Sequence, residues 1–236
     1  MPNPLSRISA TAQIFDGLGD DDALLPHWRH ILTVISAWSK IDAQLSGMLA
    51  GFLKADFQVA AAMYEAIASE RARHAALISA AKVAIPDDCE LFQAAIASMK
   101  ASKRKRNDFA HHIWGHSPDL PTKALLIDPT AVIENKFAWR QAASDGSLLP
   151  KTTQVGNGVM RIDLGPVPVI DRNRILVYSE SQLQVEANNA RQCDGITKLL
   201  SRAISSQYPD KEARQILVRE PLIQRELQNL RKRNAA

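Results

Sequence analysis

Ile31-Leu-Thr-Val-Ile-Ser-Ala-Trp-Ser-Lys-Ile-Asp-Ala-Gln-Leu-Ser-Gly-Met-Leu-Ala-Gly-Phe52 places Ile31, Val34, Ile35, Trp38, Ile41, Leu45, Met48, Leu49 and Phe52 at three- and four-residue steps. That spacing puts them on one stripe of an α-helix. Gly47 and Gly51 lie inside it and each costs about 1 kcal/mol relative to alanine, so close approach of a second helix is the expected reason for them. No proline lies between His27 and Ile85 and no glycine between Phe52 and Trp114. Uninterrupted backbone of that kind predicts a helical first half.

Reading outward, Phe57 to Ala84 predicts a second helical stretch with a break near Ser69. Asp87 with Glu90 three residues on resembles a capping box after Pro86 and predicts a third helix. Its inner face should carry Phe92, Ile96, Met99, Ala110 and Ile113, with Gly115 and Pro118 ending it. Six of the twelve prolines fall between Pro118 and Pro168. Short apolar runs there (Ala124–Ile127, Val159–Leu164, Val167–Ile170, Ile175–Tyr178) predict a small antiparallel element. Ser179 and Gln182 form another capping box, opening a helix with Leu183, Ala187, Ala190, Cys193, Leu200 and Ile204 on its face. Pro209 and Pro221 suit the first turns of two short basic helices.

The expected fold is therefore mainly α, an antiparallel helical bundle with a small β-containing insertion. Its segments are a flexible N-terminal stretch (1–21), a helical core (22–121), a Gly/Pro-rich insertion (122–178), and C-terminal helices with a basic tail that complete the bundle (179–236). The chain has 236 residues, 46% hydrophobic and 23% charged, a composition that excludes a disordered or fibrous chain. The longest uncharged stretch, Ala43–Leu53, is far short of the roughly 18 residues of a membrane span. No secretory pattern opens the sequence. Cys89 and Cys193 form neither a CxxC pair nor a disulfide framework. A soluble, cytoplasmic protein without a membrane partner is expected.

The net charge of +4 is modest, but it is unevenly spread. Lys100, Lys103, Arg104, Lys105 and Arg106 follow one another without an acid, and Lys211 to Arg233 is also strongly basic. Such blocks steer anionic partners. Three of the six histidines, His111, His112 and His116, follow the first block directly. Arginine on an apolar stripe is costly unless it meets an anion or a groove. Asn107 and His111 are one turn apart, about 40° around the axis. Arg106, Asn107 and His111 are thus expected to converge on a polar notch.

An arginine, an amide and a histidine suit cleavage of RNA by its own 2′-hydroxyl. The substrate supplies the nucleophile, histidine moves protons near neutral pH, and arginine stabilises the phosphorane. A metal reading would instead gather His111, His112, His116 and Asp119, although neighbouring histidines on a helix point about 100° apart. A structural reading makes Arg106 and Asn107 an exposed helix terminus and His111 a half-buried structural histidine.

Arg106-Asn107-Asp108-Phe109-Ala110-His111 resembles the RNxxxH form of the arginine-x(4–6)-histidine motif of HEPN domains, and His112 satisfies the looser spacing. The resemblance covers about Asp22 to Pro121 and, more weakly, Ser179 to Ser205. It implies a HEPN-like bundle and a metal-independent endoribonuclease without cofactor. It also implies a homodimer with two motifs facing one cleft, and a setting in toxin–antitoxin or antiviral defence with a separate antitoxin or regulator. By the same carry-over Arg106, Asn107 and His111 (or His112) are catalytic and the product is a 2′,3′-cyclic phosphate. Lys103, Arg104 and Lys105 are expected to contact RNA phosphates, which would make binding salt-sensitive. The alternative is a non-catalytic HEPN-like module that binds RNA or nucleotide, or dimerises.

Overall fold

A computed structural model describes residues 2–16, 24–147, 168–205 and 210–234, with the backbone of 151–155 and 159–163. The chain is mainly helical with a small antiparallel sheet. It divides into two compact units: residues 29–110 with 184–236, which are helical, and residues 1–28 with 111–183, which hold the sheet.

In the helical unit, α1 (Leu25–Leu53) supplies the predicted stripe, with Ile31, Val34, Trp38, Ile41 and Leu45 essentially inaccessible. The second stretch does break at Ser69. Asp56 accepts from the backbone N–H groups of Gln58 and Val59 to start α2 (Phe57–Ala66), and Ser69 accepts from that of Ala72 to start α3 (Glu70–Ala84). Each cap satisfies donors that the first turn leaves open, at about 1 kcal/mol apiece. Close approach does not explain the glycines of α1. A Cβ on Gly47 would make only ordinary contact with Phe57, and one on Gly51 would meet nothing.

The third helix departs from its reading. It is interrupted at Met99 into α4 (Cys89–Ser98) and α5 (Lys100–His111), and it ends at His111 rather than near Gly115. Asp88 occupies the N-cap of α4 without a side-chain hydrogen bond, so the capping box does not form there. Phe92, Ile96 and Met99 are buried as expected, but Ala110 is exposed and Ile113 belongs to a strand. The buried line nevertheless continues across the interruption, since Lys103 lies one turn beyond Met99 and its N–H donates to the Met99 carbonyl at 3.0 Å, and α5 buries Ser102, Lys103 and Phe109.

Ser179 and Gln182 do form the reciprocal box: the Ser179 N–H donates to Gln182 Oε1 at 2.9 Å and the Gln182 N–H to Ser179 Oγ at 3.3 Å. They open α7 (Glu180–Ala203), whose Ala187, Ala190, Cys193 and Leu200 are buried. Then follow α8 (Lys211–Arg219), capped by Asp210, and α9 (Pro221–Asn234), which begins on Pro221 and packs against α4. Pro209 lies outside the described residues.

The sheet unit reaches beyond the expected insertion. Its strands are β1 (Asn3–Pro4), β2 (Phe15–Asp16), β3 (Ile113–His116), β4 (Lys123–Ile127) and β7 (Ile175–Ser179), in the order β1-β7-β4-β3-β2 and all antiparallel. β5 (Lys151–Val155) and β6 (Val159–Asp163) pair only with each other. Residues 168–170 form no strand, and Val167 lies outside the described residues. A helix missed in the sequence, α6 (Pro129–Ser144), follows β4, with Asp128 as its N-cap and Pro129 in its first turn.

The N-terminal stretch, expected to be flexible, is built into this unit over residues 2–16. Leu5 is fully buried with Leu125, Ile127, Ile175 and Val177. The Arg172 guanidinium donates to the carbonyls of Ser9 and Ala12, and Asp119 accepts from the Gln13 N–H at 2.8 Å. Edge pairing and an apolar anchor offset the ordering entropy of a short segment. At the other sheet edge Gly115 is required: a Cβ there would lie 2.6 Å from the Phe15 carbonyl oxygen.

Candidate functional site

Arg106 stands one turn from Ser102 and just under one from Phe109, both buried, so its side chain is drawn inward. It is half-buried, its Nε is buried without an acceptor, and its Nη1 donates to Asn107 Oδ1 at 3.1 Å. His111, the last residue of α5, is exposed. Five positions separate the two, about 140° around the helix axis. Arg106 and His111 of one chain therefore do not share a helix face, and the expected notch is not formed by one chain. Asn107 does share a face with His111.

The basic run divides three ways. Lys103 is buried: its Nζ lies 3.4 Å from Asp42 Oδ1, 3.8 Å from Glu70 Oε1 and 5.5 Å from the centre of the Trp38 ring. Its long stem and the Trp38 face let the ammonium sit inside with two carboxylates, so it is not a surface phosphate contact. Lys105 pairs with Asp108 at 3.9 Å. Lys100 and Arg104 are exposed. With Asn107 they occupy positions i, i+4 and i+7, one face of α5.

That face forms one wall of a cavity of about 620 Å³ within the helical unit. Lys100, Arg104 and Asn107 line it, with Arg71 from α3 and Arg233 from α9. Ile78, Ile96 and Leu230 supply an apolar wall. Glu70 and His74 complete the α3 side, with His74 Nε2 4.0 Å from Glu70 Oε1. Burial, and then the Lys103 ammonium, push the His74 imidazole below its usual range, against the opposing pull of Glu70. Next to this cluster, burial and the Asp42 carboxylate push the Tyr64 phenol up to about 12.

Among the described residues, none of Arg71, Lys100, Arg104 and Arg233 is paired with a carboxylate. The sequence singles out Lys100 and Arg104 as part of a basic run and Arg233 only as the end of the basic tail, gives His74 the reading of an ordinary helix residue, and does not point to Arg71 or to Gln93, which also lines the cavity. Arg233 belongs to the basic tail, which was a signal. Nothing in the local sequence brings α3 and α9 to one cavity.

His112 lies between α5 and β3, half-buried, with Nδ1 buried and without a partner. His116 stacks on Phe15 with ring centres 5.4 Å apart. Asp119 is engaged with Gln13. Among the described residues no three histidines, cysteines or acids come together as metal ligands. No helix among them is long and apolar enough to cross a membrane. Set against family models, curated proteins and solved structures, the chain matches none.

Proposed function

We propose that the protein binds RNA through the exposed basic face of α5, as a HEPN-like binding module. The observation that carries this reading is the stripe of Lys100, Arg104 and Asn107, its cations paired with no carboxylate among the described residues and lining a cavity with two further arginines. Cations along a helix track a phosphate backbone and release counterions when they bind it. The test is anisotropy of labelled single-stranded RNA against salt. Lys100→Ala and Arg104→Ala should each weaken binding and flatten the log–log salt slope by about 0.7. An affinity unchanged in both variants would overturn the reading.

A second reading, metal-independent endoribonuclease activity, is favoured by the buried Arg106 Nε without an acceptor, since an unsatisfied buried donor often marks a working group. Because Arg106 and His111 of one chain diverge, cleavage requires a homodimer in which one protomer's Arg106 meets its partner's His111 on a phosphodiester. The imidazole would then move the proton at the 2′-hydroxyl or the departing 5′-oxygen, and the guanidinium would hold the developing charge. Purified protein with labelled RNA and EDTA should yield 2′,3′-cyclic phosphate ends, lost in Arg106→Ala and His111→Ala. Intact RNA with the wild-type dimer leaves the binding reading alone.

A further inference from the structure

We propose that the cavity walled by α3, α4, α5 and α9 is a site for a free nucleoside monophosphate. The inference deepens the RNA reading and rests on it in one respect, that Lys100 and Arg104 bind phosphate.

Charge is the first argument. Arginines close by are already neutralised: Arg214 of α8 reaches Asp88 at 2.7 Å and Arg231 of α9 reaches Glu90 at 3.6 Å. Arg233, two residues beyond Arg231, instead lines the cavity with Arg71, Lys100 and Arg104. Four cations set against one lining carboxylate need an anion of more than one charge, as a phosphate monoester carries near neutral pH. Glu70, the lining carboxylate, is turned toward Lys103 and His74.

Shape and polarity supply the rest. Inorganic phosphate would leave the half-buried Ile78 and Leu230 in contact with water, whereas a flat heterocycle would cover them. The two lining amides are each half-engaged. Gln93 Nε2 donates to Cys89 Sγ at 3.2 Å, leaving its Oε1 as an acceptor. Asn107 Oδ1 accepts from Arg106, leaving its Nδ2 as a donor. A donor and an acceptor on amides suit the edge of a base, and Glu70 can accept from a ribose hydroxyl. The volume falls within the ~300–1,000 Å³ typical of small-molecule sites.

Isothermal titration of the full chain with AMP, CMP, GMP, UMP, adenosine and inorganic phosphate tests the proposal. At least one monophosphate should bind about tenfold more tightly than both adenosine and phosphate, about 1.4 kcal/mol. The double variant Arg71→Ala/Arg233→Ala, with an unchanged circular dichroism spectrum, should lose about tenfold or more, and Arg140→Ala, an exposed arginine of the sheet unit, should lose nothing. No binding of any monophosphate, equal binding of phosphate alone, or a double variant that binds as wild type would each overturn it. RNA affinity indifferent to Lys100 and Arg104 would sink the RNA reading. Monophosphate affinity indifferent to Arg71 and Arg233 sinks this one.

Discussion

In the sheet unit Arg174 holds Asp128 at 2.9 Å and Glu134 at 2.6 Å, and Arg172 holds two backbone carbonyls. In the helical unit Arg71, Lys100, Arg104 and Arg233 line a cavity and, among the described residues, pair with no carboxylate, while the lysine next along α5 is buried with two. The same side-chain types close one surface and leave another open. Saturated arginines fix loops and caps. Unsaturated cations, held apart on the three helices α3, α5 and α9, are left for another partner, because among the described residues no acid pairs with them. This difference is why binding is proposed in the helical unit.

Lys103 is the sharpest way to break that comparison, since it is the cation of the run that lies buried. Lys103→Ala removes the ammonium from Asp42 and Glu70 and strips the stem from Trp38. A cost of about 1–3 kcal/mol is expected in urea unfolding at constant slope, as for a buried polar group left without its partner. Lys103→Met keeps the stem and should cost less. Wild-type stability in Lys103→Ala would return Lys103 to the solvent-facing run that the sequence suggests.

The sheet unit offers a smaller effect. Asp128 caps α6 through the Thr130 N–H at 2.8 Å and receives Arg174. Burial pushes its carboxyl up, but the Arg174 and Thr130 hydrogen bonds outweigh that and hold it below the usual range. Asp128→Ala should therefore cost about 1 kcal/mol at pH 7, the scale of a lost N-cap, and Asp128→Asn should recover part of it. The wild type's advantage should fade as pH falls through the folded carboxyl's lowered range, because the stabilising form is the charged one. An advantage that persists in acid would mean that the cap, not the ion pair, carries the difference.

What could be read in advance follows from the range of the interactions. The stripe of α1, the break at Ser69, the box at Ser179 and Gln182 and the start at Pro221 all depend on residues within one or two turns of each other, so their spacing reports them. The interruption at Met99 does not, since no glycine or proline marks it. The end of the helix before Ile113 was equally unmarked, whereas Arg106 turns inward as its place on the apolar stripe implied. The N-terminal stretch was also opaque, because Leu5 and Pro4 find their partners some 170 residues along the chain. α6 was legible in principle, as Asp128-Pro129 is an N-cap followed by proline. Of the candidate site, the α5 face could be read and the opposite walls could not, for they are assembled only by packing.

The smallest expected effect sharpens the comparison at the cavity itself. His74 faces Lys103, Lys100, Glu70 and Asp42, and burial followed by the Lys103 charge lowers its pKa against the two acids. A histidine held neutral in the folded chain binds fewer protons there than in the unfolded chain. Stability must therefore be unaffected well above pH 6.5, decline as pH falls below it, and level off beneath the folded value. His74→Gln removes the titrating group while keeping a polar side chain in place. Its denaturant midpoint should fall less than that of the wild type between about pH 7 and pH 5, and Lys100→Ala should shift the wild-type decline to higher proton affinity in the folded chain and so make it shallower. Parallel curves for wild type and His74→Gln would mean that burial and the Lys103 and Lys100 charges do not outweigh Glu70 and Asp42 at His74, and an unchanged decline in Lys100→Ala would strip the contrast between an open and a closed charge distribution of its electrostatic content.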